Sequence, residues 1–326
     1  QFSNLTEIVI SSSITLIGDN AFCDCESLSS IEIPSSVTKF GNCIFKGCSS
    51  LECIEIPSSM THINDHFFEG CKLLNHIEIP SFVTSIGKGA FMGCISLMNI
   101  KIPSSVTLID ENAFDRCSSL KEINIPSSVT SIGNNAFKKC SSLERVTLSS
   151  SIKSIGSFSF SDCTSLTEFE IPQSVEEIKS NAFNDCSSLR KIEIPISVHS
   201  IDESVFANCS SLIKVIIKSS ITTIENETFK CCSSLEEIEL PSSVTQIKDY
   251  AFYECSSLEQ INISNVEKIG QFAFYGCKLL EITEIPCVAS IGNNAFEQCM
   301  SITEAVIPLV KKIEDETFMN CTSLKK

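Results

Sequence analysis

Apolar positions recur along this chain with a period of 23 residues, and that period predicts the fold. A clean copy spans residues 117–139 as CSSLKEINIPSSVTSIGNNAFKK, and the next cysteine begins the pattern again. A phenylalanine marks each copy, with a cysteine three residues later; the markers are Phe22, Phe45, Phe68, Phe91, Phe114, Phe137, Phe160, Phe183, Phe206, Phe229, Phe252, Phe274, Phe296 and Phe318. Such self-similarity is typical of repeat architectures, in which a unit buries its apolar face only against its neighbours.

The first half of each copy has the pattern of a strand. Leu120, Ile123 and Ile125 are apolar, and polar residues flank the two isoleucines. This alternation indicates a strand with one buried and one outward face. Pro126 follows at once. Because proline has no amide donor, it cannot extend a ladder, so we expect it to end the strand in a turn that the next two serines fill.

The second half of each copy predicts a shorter strand and a tight turn. Val129 and Ile132 mark a second extended piece, and Gly133 suits a turn. The sequence Asn-Asn-Ala-Phe then predicts a single helical turn, with Phe137 and Cys140 on one inward face. Each copy is therefore predicted to be a coil of strand, turn, short strand and helical turn.

Stacked coils predict a single solenoid over residues 1–326, with about fourteen repeats. We expect a right-handed, strand-rich solenoid with a parallel β-sheet on one face and short second strands and single helical turns elsewhere. The last three repeats shorten to 22 residues in a surface turn, and Thr283 and Ala305 weaken the inward ladder there. Both ends fall inside a repeat, with Phe2 in a cysteine position, so we expect a fragment of a longer protein.

The net charge of the chain restricts the kinds of partner that it can bind. The chain has 24 basic and 40 acidic residues and a formal net charge of −16. Nucleic acids and anionic membranes need a basic surface, so both are disfavoured as partners, whereas a basic protein partner is compatible. No run approaches the roughly 20 apolar residues of a membrane helix, so we expect no membrane insertion by this segment.

The reactive side chains predict no catalytic, metal or cofactor site. Fourteen of the nineteen cysteines occupy the Phe-x-x-Cys position, where we expect buried, unpaired thiols. His62 and His66 are four residues apart but straddle a strand and a turn, so solvated surface histidines are the better interpretation of the pair. No Ser-His-Asp or Cys-His arrangement has a local signature, and a solenoid offers no enclosed pocket of the usual kind.

The outward positions of the longer strands are the candidate binding surface. They lie two and four residues after the ladder leucine and are rich in charge, and stacked glutamates at strand spacing repel one another. Either a partner requires that charge, or the charge only keeps a long sheet soluble. The candidate residues are Glu32, Glu55, Glu78, Lys101, Arg145, Glu168, Glu170, Lys191, Glu193, Glu237 and Glu239.

The repeated motif resembles a known family. IPSSVTSIGNNAF followed by xxCSSL is similar to the BspA-like, or Treponema pallidum-type, leucine-rich repeats along the whole chain. The resemblance implies a leucine-rich-repeat solenoid without a catalytic motif. It also implies a cell-surface or secreted protein, a surface antigen or an adhesion segment that binds host proteins such as matrix proteins.

Two other interpretations stay open at this point. The segment is also compatible with a cytoplasmic scaffold or the recognition segment of a signalling protein, and with a structural spacer. The ligand and the oligomeric state are not determined by the sequence.

Overall fold

The computed structural model describes residues 3–282 and 284–325 and contains two compact units, Gln1–Ser165 and Leu166–Lys326. Each unit is a parallel β-solenoid, as the period predicts. Phe2 and Thr283, for which we expected departures from the ladder, lie outside the described residues. That all fourteen repeats form one continuous solenoid stays a prediction.

The described part of the chain contains only strands and turns as regular structure. The strands are two to four residues long. In chain order they are β1 (Leu16–Ile17), β2 (Lys39–Phe40), β3 (His62–Ile63), β4 (Ser85–Ile86), β5 (Leu108–Ile109), β6 (Glu122–Asn124), β7 (Ser131–Ile132), β8 (Arg145–Thr147), β9 (Ser154–Ile155), β10 (Glu177–Ile178), β11 (Lys191–Ile194), β12 (Ser200–Ile201), β13 (Lys214–Ile217), β14 (Thr223–Ile224), β15 (Glu237–Glu239), β16 (Gln246–Ile247), β17 (Gln260–Ile261), β18 (Lys268–Ile269) and β19 (Ser290–Ile291).

All pairing is parallel and joins equivalent positions of successive coils. In the first unit β1 pairs with β2, β3 with β4, β4 with β5, β7 with β9, and β6 with β8. In the second unit β10 pairs with β12. One sheet has the strand order β14-β16-β18-β19, and another has the order β11-β13-β15-β17. Ile247 pairs with Ile269 although only 22 residues separate them. The shortened repeats therefore keep the ladder register, as expected for a deletion in a turn.

Proline controls where the longer strands form. All ten prolines of the chain stand directly after the second inward residue of this strand. Three of the six longer strands, β8, β13 and β17, belong to repeats without that proline. In β13 the next residue, Lys218, donates its amide to the Ile194 carbonyl at 2.9 Å. A proline at this position has no proton to donate, so most coils keep only isolated bridges or irregular extended chain here.

The predicted single helical turn is instead a pair of tight turns. In the repeat at Phe137, Ala136 donates to the Gly133 carbonyl at 3.2 Å, and Cys140 donates to the Phe137 carbonyl at 3.2 Å. The third residue of each turn has a positive φ, 54° at Asn135 and 58° at Lys139. All described residues with positive φ lie at these two positions of their coils. The left-handed residues stop helix formation and turn alternate amides towards the next coil, where Phe137 donates to the Ser159 carbonyl at 2.8 Å.

Phenylalanine ladders form the core of both units. Rings of successive coils stack with centroids 5.2–5.9 Å apart in the first unit, from Phe22 to Phe160, and 5.2–5.7 Å apart in the second, from Phe183 to Phe318. These separations are typical of offset stacking. Most inward Leu, Ile, Val and Cys positions of the inner coils are also buried, and Val146, Leu148, Leu240 and Ile261 are half-buried. The ladder assignments made from the period are therefore confirmed.

The ladder cysteines have a polar role that the sequence did not indicate. Ladder thiols in both units donate to the phenylalanine carbonyl of the preceding coil; for example, Cys140 Sγ lies 3.2 Å from the Phe114 oxygen and Cys255 Sγ lies 3.1 Å from the Phe229 oxygen. Burial raises the pKa of the Cys48 thiol to about 12 and raises that of Cys140 well above its ordinary value. These thiols therefore remain protonated donors at neutral pH.

Candidate interaction face on the long strands

Each long strand presents two outward side chains, which line up from coil to coil as two rows. We name them the early row and the late row, after their order along the strand. In β11, Lys191 belongs to the early row and Glu193 to the late row, while the isoleucines between and after them are buried. The register pairs Lys191 with Lys214 and Glu193 with Ile216. Sequence periodicity therefore determines which side chains are outward neighbours.

The structure places all eleven candidate residues in these outward rows. Ten of them are exposed, and Glu193 is half-buried. Glu32, Glu55, Glu78 and Lys101 lie in the late row of the first unit, and Arg145 lies in its early row. In the second unit the early row holds Glu168, Lys191 and Glu237, and the late row holds Glu170, Glu193 and Glu239. Their role in binding remains a prediction.

Glutamates of the second unit are partly neutralised by lysines of the same face. Lys214 Nζ lies 2.8 Å from Glu237 Oε2 and 3.4 Å from Glu239 Oε1. Lys218 Nζ lies 2.7 Å from Glu193 Oε1. The hydrogen bond that Lys214 donates to Glu237 raises the pKa of Lys214, and the one that Lys218 donates to Glu193 lowers the pKa of Glu193. The expected repulsion between stacked glutamates is therefore relieved here by side chains of neighbouring coils.

The first unit has a different distribution of charge on its face. Arg145 Nη2 lies 3.4 Å from Glu122 Oε2, and both side chains are largely exposed. Towards the N-terminus, Glu32, Glu55 and Glu78 occupy three successive positions of the late row. No ion pair is recorded for these three carboxylates within the described residues. In the late row, Glu193 and Glu239 of the second unit thus have a lysine beside them, whereas these three carboxylates of the first unit have none among the described residues.

A groove of about 1040 Å³ runs over this uncompensated part of the face. Ile31, Ile54 and Ile77 form its floor, and they are only 8%, 8% and 3% exposed. Prolines and serines of the following turns lie at one margin. The acidic side chains along it are Glu7, Glu32, Glu55 and Glu78, and none of its lining residues is lysine or arginine. The groove therefore combines an apolar floor with a negative margin.

His62 and His66 take separate partners. His62 Nδ1 lies 2.7 Å from the Thr61 hydroxyl, and His66 Nδ1 lies 2.8 Å from Glu69 Oε2. Among the described residues, no group of three or more His, Cys, Asp or Glu side chains is arranged to hold a metal ion. Across the same residues, no helix is long and apolar enough to cross a membrane.

An aromatic cluster on the turn side of the second unit was missed in the sequence. Tyr250 stacks on Phe272 with centroids 5.0 Å apart, and Tyr253 stacks on Tyr275 at 4.8 Å. Tyr250 and Phe272 have positive φ, a conformation that bulky residues rarely adopt. The signal was present, because all three tyrosines of the chain occur within these two repeats. Because the ring faces are covered by one another, mainly ring edges and hydroxyls remain for contact.

Comparison with known proteins places this architecture among repeat proteins. A family model described as the BspA type leucine rich repeat region matches residues 1–121, 84–213 and 199–325. The chain is similar to a leucine-rich repeat protein from Bacteroides ovatus, with 34% identity, a TM-score of 0.75 and coverage of 90% of this chain and 82% of the other. None of the curated proteins compared with it matches significantly.

A second solved structure is also similar. It is described as a leucine rich cell surface protein from Faecalibacterium prausnitzii, with 27% identity, a TM-score of 0.53 and coverage of 98% of this chain and 86% of the other. A leucine-rich repeat protein from Eubacterium ventriosum, at 21% identity and a TM-score of 0.56 over 94% of this chain and 84% of that one, supports the fold alone.

Proposed function

Because the chain belongs to the BspA-type leucine-rich repeat family, we propose that it is a non-enzymatic module that binds a protein partner through the outward face of its long strands. Repeat proteins of this kind commonly bind other proteins over extended surfaces. The face presents side chains at fixed spacing on a rigid ladder, so binding a partner costs little backbone conformational entropy. Catalysis is not part of this proposal.

One observation carries the proposal, namely the groove of about 1040 Å³ on the face of the first unit. Its floor is apolar and its carboxylates have no ion-pair partner among the described residues. An apolar centre with polar margins is the usual anatomy of a protein interface.

We further propose that this binding serves adhesion or host interaction at the cell surface. The support is the solved cell-surface protein from Faecalibacterium prausnitzii, which has 27% identity and covers 98% of this chain. Labelling of intact source cells with a membrane-impermeant reagent tests the location. Labelled protein is the expected result, whereas protein that is labelled only after lysis would favour the cytoplasmic scaffold.

Site-specific photocrosslinking tests the binding face itself. A photoreactive phenylalanine analogue would replace Lys101, Arg145 or Lys191 on the face, and Asn135 or Asn181 on the turn side as controls; all five positions are at least partly solvent-accessible. The proposal expects the same partner to be crosslinked from face positions and not from turn positions. Crosslinks from the turn positions alone would refute binding through the long strands.

A further inference from the structure

We propose that the groove of the first unit binds a lysine-bearing extended segment of the partner. We name it the glutamate groove, defined by the carboxylates of Glu32, Glu55 and Glu78 over the floor of Ile31 and Ile54. This inference rests on the proposed function and specifies the binding site and the chemistry of the ligand. Equivalent row positions in the two units can be compared directly, because the repeats share one register.

Equivalent carboxylates of the second unit show which group this row binds. Glu193 and Glu239 occupy the same row position as the groove glutamates, and each has a lysine ammonium beside it, at 2.7 and 3.4 Å. Those lysines come from the long strand of a neighbouring coil or from the residue directly after it. The row geometry is thus compatible with ammonium binding, and in the glutamate groove the ammonium has to come from elsewhere.

Among the described residues, no lysine or arginine forms an ion pair with the three carboxylates of the glutamate groove. The groove lining contains four glutamates and no lysine or arginine. The nearest basic residue in the late row is Lys101, one coil beyond Glu78, and it is not part of the lining. A partner that supplies ammonium groups is therefore complementary to the groove in charge, and an acidic or neutral partner is not.

Spacing and the apolar floor favour an extended lysine-bearing segment. Carboxylates of successive coils are about 4.8 Å apart, whereas side chains on one face of an extended peptide are about 6.7 Å apart. The flexible stem of lysine can absorb this mismatch. Its methylenes would lie on the isoleucine floor while the ammonium reaches the margin, which is how long basic side chains usually cover apolar surface.

Titration with fluorescein-labelled octalysine at about 10 mM and about 150 mM ionic strength tests the proposal. The variant Glu32→Gln/Glu55→Gln/Glu78→Gln is compared with a matched control in the same row of the second unit, made by replacing Glu170, Glu193 and Glu239 with Gln. Exposed ion pairs each contribute a factor of about two to five, so the groove variant should bind about tenfold more weakly at low salt. The control should change affinity less than about twofold, and side-chain-acetylated octalysine should not bind.

Thiol reactivity locates the peptide independently of affinity. Cys53 lies in the groove lining and is exposed, whereas Cys287 is an exposed cysteine of the second unit. Octalysine should slow the reaction of Cys53 with neutral dithiodipyridine and leave Cys287 unchanged. The reaction is run at pH about 8, below the alkaline range in which the fold is expected to weaken and where lysines remain charged.

The outcomes separate this inference from the proposed function. Absence of octalysine binding, equal losses in both triple variants, or protection of Cys287 instead of Cys53 would each overturn the lysine-bearing ligand. Crosslinking from the face would still stand in that case and would preserve the proposed function with a partner of other chemistry. If crosslinking from the face failed while octalysine still protected Cys53, the groove would remain a lysine-binding site, but the proposed function of the whole face would be refuted.

Discussion

Buried cysteine thiols should make this protein unusually sensitive to mild alkali. Eight ladder thiols have a pKa raised well above the ordinary range, with burial as the main cause. Four lie in each unit: Cys71, Cys94, Cys117 and Cys140 in the first, and Cys209, Cys232, Cys255 and Cys277 in the second. Below the ordinary thiol pKa of about 8.5 both folded and unfolded chains hold these protons, so the thiols have no effect on pH dependence there.

Above that pH the unfolded chain loses the protons and the folded unit keeps them. The unfolded state then binds fewer protons, so the free energy of unfolding falls as pH rises, until the raised folded pKa values are reached. Each such thiol contributes a slope of about 1.4 kcal/mol per pH unit, so four contribute about 5 kcal/mol per pH unit in each unit. Because whole domains are stable by only about 5–15 kcal/mol, a slope of this size acting above about pH 8.5 should cause unfolding between about pH 9.5 and pH 11.5.

Urea unfolding followed by far-ultraviolet circular dichroism under reducing conditions, at half-unit steps from pH 7 to 10, measures this slope. The double variant Cys117→Ala/Cys140→Ala removes two of the first unit's thiols with raised pKa, so it should lower overall stability but reduce that unit's slope by about 3 kcal/mol per pH unit. Stability that stays level from pH 8 to 10, or a slope unaffected by the double variant, would refute the reasoning. Tyrosine fluorescence reports the second unit alone, because all three tyrosines lie there.

Three further perturbations test the core, the turn and the face. Phe137→Ala removes a ring stacked at 5.4 and 5.5 Å on its two neighbours and should lower the free energy of unfolding by about 4 kcal/mol. Phe158→Ala, at a half-buried ring that is outside the ladder and in contact with Lys138, should cost under about 1.5 kcal/mol. Equal losses in urea unfolding would contradict the ladder. Gly133→Ala places a Cβ about 2.7 Å from backbone of the preceding coil and should cost roughly 1–3 kcal/mol by the same assay; an unchanged midpoint would contradict this close approach. Lys214→Ala frees the carboxylates of the second unit and should increase octalysine binding there; unchanged affinity would argue against the internal comparison.

Much of the core followed from the sequence because the buried positions are periodic. A 23-residue repeat with inward residues such as Leu120, Ile123 and Phe137 can bury them only by stacking like on like, so the ladders and the parallel register followed directly. The outward position of residues such as Glu55 followed from strand alternation. Family membership was likewise indicated by the motif alone.

The tertiary structure decided what neighbouring coils do to one another. The segment at Asn135 satisfies local rules for a helical turn, but the amides of one coil must reach carbonyls of the next, and that requirement selects left-handed residues at two positions. The thiol of Cys140 appeared to be only a small apolar group until the Phe114 carbonyl was found opposite it.

The charge pattern of the face shows the same division most clearly. The sequence determined that glutamates recur in the outward rows, because alternation along a strand is a local property. The period also determined that Lys214 and Glu237 are neighbours, because they are 23 residues apart. Only the folded chain showed that Lys214 also reaches Glu239, and that Glu55 lies in a groove whose lining has no lysine or arginine. The pairing of two flexible, exposed side chains depends on which residues stand in the adjacent coils, and that is a property of the stacked array rather than of any single repeat.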